Sequence, residues 1–134
     1  MTIFGEVKTE TATFSEEKNW AKKRILKARE KAVDAGFSYM GHVFQIDDRS
    51  LDTFARMMIG LQAGEVNPSG GKWWDVDNND VPMTDAELAA FFKGAGRYAQ
   101  KLRNHTHDLK VAVVAAVDQA ALDAIDIDTG WPAQ

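Results

Sequence analysis

Cysteine is missing from the chain, which removes thiol nucleophiles, thiolate zinc sites and disulfides together and suits a reducing compartment. Nowhere do about 18 apolar residues run consecutively, so no membrane span is expected. The start, Met1-Thr2-Ile3-Phe4-Gly5-Glu6-Val7-Lys8, lacks the basic opening and apolar run of a secretory signal. Basic residues are in the minority, 16 Lys and Arg against 20 Asp and Glu, and the formal net charge of -4 argues against a protein built mainly to wrap nucleic acid. Also missing are a Walker loop, a dinucleotide fingerprint, a nucleophile elbow and a zinc-ligand cluster. These absences leave no familiar catalytic chemistry and no cofactor to expect.

What remains is an ordinary single-core composition: 134 residues, 45% hydrophobic and 27% charged. A chain of this length buries roughly 68% of the surface it exposes when unfolded. The reading is one α+β domain over residues 15–134, preceded by an arm or short strand at 1–14 and ending in a tail from about residue 126. Ser15 with Glu16 and Glu17 offers a cap and acidic first turn for a helix to about Asp34, with Ala21, Ile25, Ala28 and Ala32 as its apolar stripe and Gly36 beyond its end. Phe37-Ser38-Tyr39 and His42-Val43-Phe44-Gln45-Ile46 flank Met40-Gly41 as a hairpin. Ser50 offers a cap for a second helix with Leu51, Phe54, Ala55 and Met58 on one face, ended by Gly64, and residues 64–71 read as a connector. A second hairpin, residues 72–76 and 80–83, turns at Asp77-Asn78-Asn79, with Pro82 marking an edge strand. From Thr84 to about Val117, Leu88, Ala95, Leu102, Leu109 and Ala116 recur every seven residues, giving one long helix or a pair broken near Asn104. Gly94 and Gly96 each weaken it by about 1 kcal/mol, which makes sense where another backbone comes close. The expected order is helix, hairpin, helix, hairpin, long helix, with a small antiparallel sheet packed on helices.

The stretch Trp73-Trp74-Asp75-Val76-Asp77-Asn78-Asn79-Asp80-Val81-Pro82-Met83-Thr84 concentrates the chemistry. Asp75, Asp77 and Asn79 match the first three ligand positions of a calcium loop, but Asp80 stands where glycine is needed and Ala86 where a bidentate glutamate is needed. The local reading accounts for more residues. Thr84 and Glu87 form a capping box, Met83 and Leu88 occupy hydrophobic-staple positions, and Asp77, Asn78 and Asn79 suit a turn. His105 and His107 point about 200° apart on a helix and cannot chelate one metal, so a solvated or helix-end role is favoured for them. His42 reads as a packing or surface residue. The run Lys22-Lys23-Arg24-Ile25-Leu26-Lys27-Ala28-Arg29-Glu30-Lys31 reads first as a solvated helix face and only second as a phosphate-binding surface. Adjacent on a strand, Trp73 and Trp74 face opposite ways, one toward the core and one toward solvent or an interface. With Tyr39 and the tail residue Trp131 they are the candidate partner-binding residues.

Three segments carry a resemblance: Gly36-Phe37-Ser38-Tyr39-Met40-Gly41-His42-Val43-Phe44 with Asp47, Trp74-Asp75-Val76-Asp77-Asn78-Asn79-Asp80-Val81-Pro82-Met83-Thr84 with Glu87-Leu88, and Leu122-Asp123-Ala124-Ile125. The chain resembles domain of unknown function 4376, an uncharacterised domain recurrent in phage and prophage tail-associated proteins. The resemblance implies a tail-gene setting and a fold, and carries over no catalytic residue. It leads us to expect a non-enzymatic protein that binds a phage tail-fibre or other tail protein, in the host cytoplasm during assembly or in the virion tail. Self-association through the long helix stays open, although Gly94, Ala95 and His105 make a weak zipper. The competing expectations are an enzyme that holds a metal or small ligand on the Asp75 to Asp80 turn, and a nucleic-acid binder using the Lys22 to Lys31 run.

Overall fold

The computed structural model describes residues 12–65 and 72–134. Most of the expected N-terminal arm and of the connector at 64–71 lies outside the described residues.

Helix α1 spans Phe14–Asp34 and is launched by Thr13 rather than by Ser15. The Thr13 hydroxyl accepts the Glu16 N–H at 3.1 Å, and the Glu16 carboxylate accepts the Thr13 N–H at 2.9 Å. That reciprocal pair needs an acceptor side chain three residues beyond the cap. Thr13 finds Glu16 there, whereas Ser15 would find Lys18, which can only donate. Past the helix, Gly36 sits at φ +78°, and a Cβ there would lie 2.7 Å from the Phe44 carbonyl oxygen. Glycine is thus needed both for the backbone conformation and for the approach of the hairpin that follows.

That hairpin pairs β1 (Phe37–Tyr39) with β2 (His42–Phe44), Phe37 opposite Phe44. Met40 and Gly41 both have positive φ, 52° and 78°, the conformation that matches the twist of a two-residue hairpin. Helix α2 (Asp48–Gln62) is capped by Asp47, whose carboxylate accepts the Ser50 N–H at 2.8 Å, and not by Ser50 as expected. An anionic cap also complements the positive end of the helix dipole. The inward face of α2 is Leu51, Phe54, Met57, Met58 and Leu61, while Ala55, expected on that face, is exposed.

The second hairpin is shorter than expected. β3 (Lys72–Trp74) pairs antiparallel with β4 (Asp80–Pro82), and Asp75 and Val76 belong to the turn. Each hairpin is its own two-stranded sheet, so Pro82 lies in an edge strand. Helix α3 (Asp85–Ala115) continues through Asn104 without a break, and α4 (Gln119–Asp123) follows after a cap by Asp118. The α+β order expected from the sequence is the order observed.

Two apolar clusters meet along α3. Beneath the hairpins, Phe37, Phe44, Phe54, Val81, Met83, Leu88, Phe91 and Phe92 pack together. Phe91 is central, with ring centroids of Phe44 at 4.6 Å and Phe54 at 5.0 Å. Full burial of such a side chain contributes about 3 kcal/mol. The second cluster joins Ala21 and Ile25 of α1 to Leu109 and Val113 of α3, Leu122 of α4 and Ile127. Trp131 packs against both. The segment after residue 126 is therefore built into the fold: Trp131 donates its indole N–H to the Ile127 carbonyl at 2.8 Å, and the Gln134 amide bonds both the N–H and the C=O of Ser38, at 2.8 and 2.7 Å.

The two glycines of α3 differ. A Cβ at Gly94 would meet the Phe37 ring at 2.9 Å, so a neighbour does come close, although it is a side chain and not a backbone; at Gly96 nothing lies within 4 Å.

Candidate partner-binding surface

The turn of the second hairpin is organised around one carboxylate. Asp75 is 7% exposed. Its Oδ1 accepts the backbone N–H groups of Asp77 and Asn79, both at 2.9 Å, and its Oδ2 meets the His42 Nδ1 at 2.8 Å and the Asn79 side-chain amide at 3.3 Å. Asn78 takes the left-handed conformation at φ 65°, which asparagine tolerates, and its N–H donates to the Asp75 carbonyl. These bonds favour the ionised form. The Asn79 N–H first and the His42 ring second hold the Asp75 carboxyl down at about 2, well below its ordinary value of 3.8.

The same carboxylate ties the two hairpins together. His42 lies on β2 and Asp75 on the neighbouring turn, and 1 residue further on the Val76 N–H donates to the Val43 carbonyl at 2.9 Å. His42, read from the sequence as a packing or surface residue, is thus a clamp between hairpins. His105 also departs from expectation. It sits in the interior of α3, not near a helix end, with its ring edge-on to Trp131 at 4.6 Å and its Nε2 buried without a hydrogen-bond partner.

As a cation site the turn is poorly arranged. Asp77 and Asn79, the proposed co-ligands of Asp75, donate their backbone N–H groups to it, so a metal at Asp75 competes with the bonds that shape the turn. Among the described residues, no three His, Asp or Glu side chains gather in a way that could hold a metal ion. Thr84 and Glu87 form the expected capping box, with bonds of 3.1 and 2.9 Å, and Met83 and Leu88 on either side of it are both buried.

The four candidate partner-binding aromatics separate. Tyr39 is committed inward: its hydroxyl donates to the Glu87 carbonyl at 2.9 Å and its ring packs on Phe91 at 5.5 Å. Trp131 joins the two apolar clusters, as described above. Trp73 lies edge-on to Phe54 and Phe92, at 5.7 and 5.6 Å. Of the four, Trp74 alone is turned outward, 58% exposed. Its indole lies nearly parallel to that of Trp73, 10° between planes and 5.9 Å between centroids, so the exposed ring lies against a half-buried one. Met40 and Val76 add exposed apolar surface on the same pair of hairpins, and a concavity of about 200 Å³ beside Trp74 is lined by Gln45, Trp73, Asp75, Val76 and Asn78. A wider groove lies elsewhere, between α1 and the segment around α4, and none of these residues lines it.

The sequence profile described as Domain of unknown function (DUF4376) matches residues 16–129. The chain belongs to this family. No curated protein and no solved structure matches it.

Proposed function

We propose that this DUF4376 protein is a non-enzymatic interaction protein of phage tails, which binds a tail-fibre or other tail protein through the hairpin surface around Trp74. The observation that carries the reading is an indole more than half exposed and stacked on a half-buried tryptophan that packs against the core. Such a ring supplies large apolar contact area with little rotamer freedom left to lose, the property that enriches tryptophan among interface hot spots. Support for the non-catalytic part comes from Asp75, whose oxygens are engaged in shaping the turn and clamping the hairpins. The tail setting comes from the resemblance of the hairpin and cap segments to tail-associated proteins.

Co-expression with the tail-fibre protein of the same phage or prophage tests the reading. The two proteins are expected to co-purify, and Trp74→Ala to weaken the complex by about 2 kcal/mol, some thirtyfold, without altering the fold. Equal recovery of the fibre protein with wild type and variant overturns the hairpin surface as the recognition site. Absence of any complex overturns the tail-fibre assignment.

A further inference from the structure

The concavity beside Trp74 is small, about 200 Å³, and its lining is uneven in charge. It is below the size of a typical small-molecule pocket, and has room for one side chain of a partner but not for a folded element. Gln45, Trp73, Trp74, Asp75, Val76 and Asn78 line it, so its wall holds one formal charge, a negative one, with no lysine or arginine to balance it. The Asp75 carboxyl, held at about 2, is ionised at neutral pH. Hydrogen bonds from the backbone and from the Asn79 amide hold that charge in place without cancelling it. The surroundings add to it. The hairpin from Lys72 to Pro82 carries one lysine against three aspartates, Asp75, Asp77 and Asp80, and even a protonated His42 beside Asp75 leaves the sum negative.

This lining decides what the concavity can take. An apolar side chain closing over it would strip water from the Gln45 and Asn78 amides and return no hydrogen bond, which is costly. An acidic one would meet like charge. A metal ion would need the lone pairs of Asp75, whose oxygens already accept two bonds each. A guanidinium needs none of them. It is attracted through space by the fixed charge, it can donate to the amide oxygens of Gln45 and Asn78, and its plane can lie on the exposed indole of Trp74. Among the described residues, neither of those two side-chain amides is bonded to another group.

We propose that the concavity receives an arginine side chain of the partner protein, its guanidinium stacked on Trp74 in the field of Asp75. The inference rests on the hairpin surface being the recognition site, and adds the charge and shape of the residue that the partner brings to it. Lysine fits less well, because its ammonium is a compact, strongly hydrated charge with no plane to lay on an indole. Arginine and tryptophan are also the side chains that recur together among interface hot spots.

Gln45 supplies the test, because it is exposed and stands outside the bonds that shape the turn. Gln45→Lys sets a cation in the concavity and Gln45→Glu a second anion. Random peptides, each about eight residues long, are selected on the intact chain, and the enriched ones are measured by fluorescence anisotropy against wild type, both Gln45 variants and Trp74→Ala. The expected result is enrichment of arginine, with binding weakened at least about tenfold by Gln45→Lys and by Trp74→Ala and tightened by Gln45→Glu. Replacing the peptide arginine with citrulline, which keeps the shape and loses the charge, should weaken binding about fivefold or more. Peptides that need Trp74 but carry no arginine, or that bind Gln45→Lys as tightly as wild type, overturn the arginine site and leave the hairpin surface standing. Peptides indifferent to Trp74 overturn both. Failure to enrich any peptide overturns the arginine site, while co-purification with the tail-fibre protein decides the hairpin reading separately.

Discussion

Gly94→Ala and Gly96→Ala are the same chemical change two residues apart on α3, and only the second is expected to stabilise the fold. Each gains about 1 kcal/mol of helix propensity. At Gly96 nothing lies within 4 Å of the added methyl, so the gain should appear in full. At Gly94 the methyl would lie 2.9 Å from the Phe37 ring, which is buried with centroids of Phe91 at 6.1 Å and Tyr98 at 6.2 Å. The ring must yield by about half an ångström in a packed site, and overpacking of that kind costs about 1–3 kcal/mol. Comparing the two variants cancels the propensity, so Gly96→Ala should exceed Gly94→Ala in stability by about 1–3 kcal/mol. For a chain of this size the gap corresponds to about 4–12 °C in Tm. Urea unfolding followed by circular dichroism measures it, with equal slopes as the check that only stability has changed. Equal stabilisation by both substitutions would refute the packing of the first hairpin against α3, and with it the placement of the surface that α3 supports.

Three further outcomes follow from the site. Thr84→Ala should lower stability by about 1 kcal/mol, because it orphans the Glu87 N–H, while Thr84→Ser should be nearly silent; thermal unfolding separates the two. The bonded state of Asp75 has its pKa depressed to about 2, so its stabilising contribution is complete above the ordinary value of 3.8 and declines as the pH falls through that window. In Asp75→Asn the slope of unfolding free energy against pH between about 4 and 2 should be shallower than in wild type, and an unchanged slope would show that the carboxylate is not so bonded. His42→Ala removes the ring between hairpins and should speed amide exchange at Asp77 and Asn79 more than at Leu88, as read by NMR.

Local features were the ones legible in the sequence. The box at Thr84 and Glu87 involves residues three apart, and the seven-residue recurrence from Leu88 reports the buried face of α3 directly. The starts of α1 and α2 were misplaced because several Ser, Thr and Asp residues compete within one turn there, and only the reciprocal partner or the charge of the cap decides between them. Alternation on β3 foretold that one tryptophan of the pair would face out, but not which. That depends on Phe54 and Phe92 arriving from α2 and α3 to receive Trp73. Nothing in the sequence pairs His42 with Asp75, since 33 positions separate them and their contact exists only because the hairpins lie side by side. The inward turn of Tyr39 is hidden from the sequence for the same reason, as its hydroxyl partner lies 48 positions away.

The central claim is that the acidic turn shapes the surface and the apolar hairpin face does the recognising. Amide hydrogen exchange of the chain, alone and saturated with the proposed tail-fibre partner, tests it most directly. The account predicts new protection at residues 39–43 and 73–79, abolished by Trp74→Ala. Protection confined to other elements, or unchanged by removal of that indole, would contradict it.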